Sequence, residues 1–300
     1  MSEIIGTSNR ILEINLSNQS VNEFMVSDDD LKMYIGGKGL GLKYIYDKMD
    51  LSIDPFDEKN ILAFMMGVML GSGAPCTGRF SCVTKSPLTG IMVSASCGGP
   101  FGMALKTSGI DGILISGKSE KPVYIEIENN KVKFIDAKEL WGKATDETQN
   151  GLNLSHHDGA CVIGPAGENK VLYANIASGH RFLGRGGMGA VMGSKNLKAI
   201  VAKGKIYSIK PKDEAGFKKV KDRAVKFINR NKFTSVSYRT YGTTYNLNIC
   251  NKNGLLPVNN FTDRTNSDAH KVSGETMAEL YKSKPSTCKP CLILCGHKGT

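Results

Sequence analysis

The sequence predicts an α+β protein, with a β-rich domain over residues 1–205 and the start of a helical domain over 206–300. Three observations carry this reading. Short segments of period-two alternation recur through the first two hundred residues, glycine-rich turns separate them, and near residue 206 the texture changes to lysine-rich sequence with apolar residues at helical spacing. A chain of 300 residues can bury a sizeable core, and a composition of 40% hydrophobic and 22% charged residues excludes disordered and fibrous classes.

The elements follow in order. Arg10 to Leu16 (RILEINL) alternates as a half-buried strand. Leu31 to Asp47 carries apolar residues at helical spacing but contains Gly36, Gly37, Gly39 and Gly41, so it is either a helix packed close against a neighbour or one broken by a loop. Arg79 stands just before an extended run, and Ser96-Cys97-Gly98-Gly99 precedes a short helix reaching about Lys106. Val123 to Glu128 (VYIEIE) alternates again, and an Asn129-Asn130 turn pairs it with Val132 to Ile135. These strands are expected to be half-buried and antiparallel. From Pro211 to Phe233, the residues Phe217, Val220, Ala224, Phe227 and Ile228 line one face of an amphipathic helix. A second short helix is expected at Glu275 to Lys282, with Ser273 or Gly274 near its N-terminus.

No apolar run approaches the eighteen residues of a membrane span, since the longest, Ile61 to Leu70, is interrupted by Gly67. The start, MSEIIGTSNR, lacks the basic and apolar blocks of a secretory signal. A cytoplasmic protein with no membrane partner is expected. The net charge of +11 is unevenly placed: residues 1–200 hold 20 basic against 21 acidic residues, and residues 201–300 hold 19 against 7. RNA-binding aromatic motifs and a zinc-finger histidine pair are absent, so no nucleic-acid partner is expected. The imbalance fits a segment separated from an acidic remainder.

Eight cysteines in such a chain point to metal or redox chemistry before disulfides. Cys76, Cys82, Cys97, Cys161 and Cys250 are scattered, and most suit the role of small buried hydrophobes. Cys288, Cys291 and Cys295 form CKPCLILC, in which one loop presents three soft thiolates. Two readings stay open on spacing alone. A zinc site would recruit His297 as fourth ligand, and a four-iron cluster would need a further thiolate from elsewhere.

Two glycine-rich segments carry the remaining signal. SGHRFLGRGGMGAVMGSKNLKAI (Ser178 to Ile200) sets Arg181 and Arg185 among six glycines, including Gly184. Glycines let backbone amides approach an anion closely, and arginines supply forked donors for phosphate. GRGGMG is not the dinucleotide GxGxxG, and no P-loop occurs. The second segment, Gly71 to Gly102, places Arg79, Ser96 and Gly98 in a similar setting. Two such cradles in one β domain suggest a large, multiply anionic cofactor.

TKSPLTG (Thr84 to Gly90), GGPFG (Gly98 to Gly102), GKSEKPVYI (Gly117 to Ile125), IGPAGEN (Ile163 to Asn169), the segment around Arg181, NKNGLLPVNNF (Asn251 to Phe261) and the three-cysteine motif occur in this order. Together they resemble the tungsten-containing aldehyde ferredoxin oxidoreductase family over essentially the whole chain. The resemblance implies an N-terminal base of two β-sheets beneath a tungsten (or molybdenum) bis-pterin cofactor, followed by helical domains. It favours a [4Fe-4S] cluster on Cys288, Cys291 and Cys295. It places pterin contacts at Arg79, Ser96 and Gly98, and at Arg181, Phe182, Gly184 and Arg185, with Arg79 similar to the family arginine between pterin and cluster. Ser96 stands where the archetype has an asparagine and Phe182 where it has a small residue, which points to altered pterin contacts.

The implied activity is oxidation of a small aldehyde to a carboxylate, with electrons passing through the cluster to ferredoxin. Family members continue well past this length, with DxxGL-type segments, the fourth cluster cysteine and the acid-base residues of the substrate pocket. No catalytic residue is therefore assigned within these 300 residues. The chain is expected to be the N-terminal portion of a longer or split enzyme, inactive toward aldehydes without its C-terminal half, and to leave the apolar face of the 211–233 helix exposed. The alternative is a non-catalytic iron-sulfur or pterin-binding subunit that works with a separately encoded partner.

Overall fold

Alternating polarity builds the first sheet, although not as an outer hairpin. In the computed structural model, which describes residues 8–128, 131–205, 211–288 and 291–299, β1 (Arg10–Asn15) pairs antiparallel with β2 (Ser20–Met25). Its other edge takes β6 (Gly112–Ser116) in parallel, with Ile11 beside Gly112. The expectation of purely antiparallel, half-buried strands is thereby corrected: β1 is an inner strand, and it buries Leu12 and Ile14 on one face and Ile11 on the other. With β3 (Leu62–Met66), β4 (Phe80–Lys85) and β5 (Met92–Cys97), the sheet runs β2-β1-β6-β3-β4-β5.

The second sheet repeats the lesson. β7 (Val123–Glu128) pairs antiparallel with β8 (Lys131–Asp136), the Asn129-Asn130 turn lying outside the described residues, but its other edge is parallel to β12 (Leu197–Ala202). β9 (Gly159–Val162), β10 (Ile176–Ser178) and β11 (Arg181–Leu183) complete the order β11-β10-β9-β12-β7-β8. The fold is α+β, with two mixed six-stranded sheets.

The Leu31 to Asp47 segment is both broken and closely packed. α1 (Asp28–Tyr34) is capped by the Ser27 hydroxyl, which accepts from the Asp30 N–H at 3.1 Å, and it ends at Ile35, whose φ of +64° cannot continue a helix. α2 (Gly37–Lys48) then lies so close to the sheet that a Cβ on Gly41 would meet Val83 Cγ2 at 2.8 Å. α3 (Pro100–Thr107), α4 (Thr145–Gly151), α5 (Pro165–Glu168) and α6 (Met188–Ser194) complete the N-terminal unit.

One apolar core joins the two sheets, drawing Phe64 and Ile113 from the first, Ile125 and Ile200 from the second, and Phe101, Leu105, Val191 and Met192 from α3 and α6. Phe101 is fully buried, with ring centroids 5.9 Å from Phe64 and 5.4 Å from Phe80. Burying such side chains contributes about 1.5–3 kcal/mol each. The outer face of the first sheet packs Ala63, Met65 and Val83 against Leu40, Tyr44 and Ile45 of α2. Cys82, Cys97 and Cys161 are buried in the central core as expected, and burial pushes the Cys82 and Cys161 thiols well up; Cys76 is exposed.

The chain divides into two units, Met1–Lys212 and Asp213–Thr300. In the second, α7 (Glu214–Arg230) is capped by Asp213, whose carboxylate accepts from Gly216 N–H at 2.8 Å. It buries no residue, and Val220 and Phe227 are 60% and 72% exposed. A π-turn at Phe233–Ser237 leads to α8 (Tyr238–Tyr241), then α9 (Asn246–Lys252) and α10 (Gly274–Leu280), with Ser273 capping α10. β13 (Lys284–Pro285) and β14 (His297–Lys298) form a short ribbon around the cysteine segment. Among the described residues no helix is long and apolar enough to cross a membrane.

Candidate functional site

The two glycine-rich segments meet at the ends of the two sheets. In the first, Arg79 precedes β4, and its guanidinium donates to the carbonyl of Ser96 on β5. Ser81 and Ser96 are cross-strand partners with their hydroxyl oxygens 2.8 Å apart. The buried Cys97 thiol donates to Gly98 O at 3.0 Å, which fixes the peptide leading into α3. Arg79 and Ser96 are exposed, whereas Gly98 is buried.

The second segment turns from β10 into β11 through Gly179, whose φ is +59°. Arg181 is half-buried, and Phe182, Gly184 and Arg185 are exposed. Gly186 and Gly187 follow at φ of +74° and +69°, and α6, buried along its whole length, anchors the segment. A Cβ on Gly184 would meet nothing nearer than 4.0 Å, so packing does not require glycine there.

Three contacts draw the segments together. Phe101 N–H, at the start of α3, donates to Ser178 Oγ at 3.2 Å, across 77 residues of chain. A Cβ on Gly99 would lie 2.3 Å from Ser178 O, and one on Gly186 would lie 2.6 Å from Val93 Cγ1 on β5. β5 and β11, the edge strands of the two sheets, thus lie against each other. Gln149 of α4 clamps the turn, accepting from Gly179 N–H at 2.7 Å and donating to Gly179 O at 3.3 Å. Of the seven sequence-predicted residues, Arg79 is bonded to Ser96 at the end of β5, Gly98 follows that strand, and Arg181, Phe182, Gly184 and Arg185 lie on or just after β11, the strand that packs against β5. Ser178, Gly99 and Gln149 hold these segments together; Ser178 and Gly99 fall within the glycine-rich segments read from the sequence but carry no assigned role there, and Gln149 carries no local signal.

In the second unit, Cys288 and Cys291 are half-buried and Cys295 is exposed, and none is in a disulfide. Lys289 and Pro290, between the first two, lie outside the described residues. The segment is pinned from α8 and the turn after it: Arg239 Nε donates to Leu292 O at 2.7 Å and Thr243 N–H to Cys295 O at 3.0 Å. Ile293 N–H points to Cys291 Sγ at 3.5 Å. Both ring nitrogens of His297 are buried and lack a hydrogen-bond partner among the described residues. Leaving one such group unmet costs about 1–3 kcal/mol. Among the described residues no three His, Cys, Asp or Glu side chains converge as a metal site.

A family model for the N-terminal domain of aldehyde ferredoxin oxidoreductase matches residues 11–204, and one for domains 2 and 3 of the same family matches residues 219–300. The chain belongs to the aldehyde ferredoxin oxidoreductase family. It is 39% identical over 298 residues to the tungsten-containing aldehyde ferredoxin oxidoreductase of Pyrococcus horikoshii, covering 98% of this chain and 49% of that one. It spans about half the length of the curated relatives it matches. It is 35% identical over 219 residues to the aliphatic sulfonate oxidoreductase WOR-like subunit of Pyrococcus furiosus, covering 65% of this chain and 34% of that one. Among solved structures, the active-site complex BamBC of benzoyl coenzyme A reductase superposes with a TM-score of 0.81 at 29% identity, over 99% of this chain and 47% of that one. The chain is thus similar, over all or part of its length, to proteins named for different substrates.

Proposed function

We propose that this chain is the cofactor-holding portion of a tungsten-dependent aldehyde oxidoreductase, with a bis-pterin on the rim between the two sheets and a [4Fe-4S] cluster on Cys288, Cys291 and Cys295. The observation that carries the reading is the seam of Gly99, Phe101 and Ser178, which gathers both arginine-bearing segments at one rim. That the relatives named for aldehyde, sulfonate and benzoyl-CoA chemistry share this portion supports a role in holding the common cofactor rather than in choosing the substrate. The aldehyde assignment rests on the 39% identity that extends over 98% of the chain.

The residues at the rim suit a polyanionic ligand. Arg79 spends part of its guanidinium on Ser96 O and keeps further N–H donors for an anion. Arg181 and Arg185 bracket Gly184, where the absence of a side chain serves close approach of a ligand to the backbone. Phe182, 51% exposed, offers an aromatic face beside them. The cysteine segment offers soft thiolates and an amide N–H directed at Cys291 sulfur, the ligand chemistry of an iron-sulfur centre, although the three thiols do not converge on one point among the described residues. When bound, the tungsten bis-pterin would supply the chemistry for two-electron oxidation of an aldehyde to a carboxylate, and a cluster on the cysteine segment would supply one-electron chemistry toward ferredoxin. The protein binds, orients and tunes these groups.

The test is aldehyde-dependent reduction of a viologen dye under anaerobic conditions by the protein isolated with the polypeptide that supplies the remaining half of the fold. Turnover with aldehydes supports the reading. A preparation that carries the cofactor, oxidises no aldehyde and turns over a sulfonate or a thioester instead contradicts the substrate assignment. Four irons with acid-labile sulfide per chain, diminished in Cys291→Ser, support the cluster; stoichiometric zinc without sulfide contradicts it.

A further inference from the structure

We infer that Gln149 is a positioning residue: by gripping the turn of the β10–β11 hairpin it holds Arg181 on the side of the first glycine-rich segment. The consequence for the cofactor rests on the reading above. The hairpin is minimal. β10 and β11 are three residues long, and Ser178 pairs with Arg181, so only Gly179 and His180 connect the strands. Gly179 takes the first central position at a φ of +59°, glycine's place in such a turn.

Pairing decides which side each residue faces. Residues directly opposite on paired strands share a face, so Arg181 lies on the side of Ser178, whose hydroxyl accepts from Phe101 N–H at 3.2 Å at the start of α3. Phe182 pairs with Ala177 on the other face and is 51% exposed. Leu183, fully buried in the core between the sheets, anchors the far end of β11. The turn end is held by Gln149, 30 residues back on α4: its amide oxygen accepts from Gly179 N–H at 2.7 Å and its nitrogen donates to Gly179 O at 3.3 Å. The same nitrogen donates to Thr145 O at 3.1 Å, which ties the side chain to its own helix. α4 packs on β9, the strand beside β10. The turn also meets α3, where a Cβ on Gly179 would lie 3.0 Å from Pro100 Cδ. Loss of the amide frees the two-residue turn, and with it the backbone of Arg181, while Leu183 keeps the strand in its sheet. Gln149 thus acts on the ligand side of the hairpin from outside both glycine-rich segments.

The experiment measures pterin retained by the anaerobically isolated protein, purified with the polypeptide that supplies the remaining half of the fold, in wild type, Gln149→Leu, Arg181→Ala and the double variant. Gln149→Leu should lower pterin about tenfold, the scale of one misplaced charge-assisted arginine contact, with the urea midpoint close to wild type. In the Arg181→Ala background the same change should lower it no further, because a residue that acts through Arg181 then has nothing to place. A side chain that merely supports the fold would not show that dependence. Hydrogen exchange on the wild type needs no variant, and it should find the Gly179 amide protected. Full pterin in Gln149→Leu, a further loss of similar size on top of Arg181→Ala, or a rapidly exchanging Gly179 amide overturns the inference. So does collapse of the urea transition in Gln149→Leu, which would make Gln149 a residue of the fold. Wild-type protein without pterin overturns the cofactor reading itself.

Discussion

A Cβ atom on Gly99 would lie 2.3 Å from the carbonyl oxygen of Ser178. The two residues belong to different glycine-rich segments, Gly99 between β5 of the first sheet and α3 and Ser178 at the end of β10 in the second sheet, and their contact draws the two cradles together. Gly99 also sits at a φ of +101°, so Gly99→Ala adds backbone strain of about 1–3 kcal/mol to a backbone clash that neither sheet end can easily relieve. We expect a clear drop in the urea midpoint and loss of pterin. Gly90→Ala is the control: its φ is +74°, but nothing lies within 4 Å of the added atom, so it should lower stability modestly and leave pterin content alone.

Gly184 presents the opposite case. A Cβ there meets nothing nearer than 4.0 Å, and its φ is not in the left-handed region. Gly184→Val should change unfolding stability by no more than about 0.5 kcal/mol, as for an ordinary surface substitution, while lowering pterin content at least tenfold. Equal losses of stability and pterin would make Gly184 a packing residue.

Phe101 ties the helix after the first cradle to the joint core of both sheets. Phe101→Ala should cost about 3–5 kcal/mol in chemical denaturation, the usual range for emptying a fully buried aromatic site. Phe182→Ala, at a side chain 51% exposed, should cost far less.

Lys195 is fully buried, with its ammonium donating to Glu58 O at 2.8 Å and Gly117 O at 3.2 Å. Burial lowers its pKa to about 8, partly offset by Asp57 and Glu58, against 10.5 for an ordinary lysine. The unfolded chain therefore binds more protons at this residue between those two values, and its contribution to stability rises as pH climbs from about 8 to about 10.5. Integrated over that window the gain is on the order of 3 kcal/mol. Denaturation curves of wild type and Lys195→Met, compared from pH 7 to 10.5, should converge or cross in this direction; a constant difference would show that Lys195 keeps an ordinary pKa.

Much of this was legible in the sequence, and the rest depended on distance along the chain. Alternation at Arg10 to Leu16 and at Val123 to Glu128 marks strands, because a strand exposes its two faces to different surroundings every second residue. It says nothing of the parallel partners, β6 and β12, which lie about a hundred and about seventy residues away in sequence. Gly36, Gly37, Gly39 and Gly41 signalled either a closely packed helix or a broken one, and both occur; Ile35, where α1 ends, gave no signal, since a β-branched residue at positive φ is uncommon. The two cradles were visible as glycine and arginine patterns. Their convergence was not, because it depends on Ser178 and Gln149, ordinary polar residues whose partners at Phe101 and Gly179 lie 77 and 30 residues away.

The most direct measurement is pterin and tungsten content of the anaerobically isolated protein from tungstate-supplied cells, wild type against Arg79→Ala/Arg181→Ala. Losing one charge-assisted arginine contact to an anion costs about 1.5–3 kcal/mol, so the double substitution should reduce retained pterin and metal by tenfold or more while the urea midpoint stays close to wild type. Wild-type pterin and tungsten in the doubly substituted protein would contradict the assignment of this rim as the cofactor site.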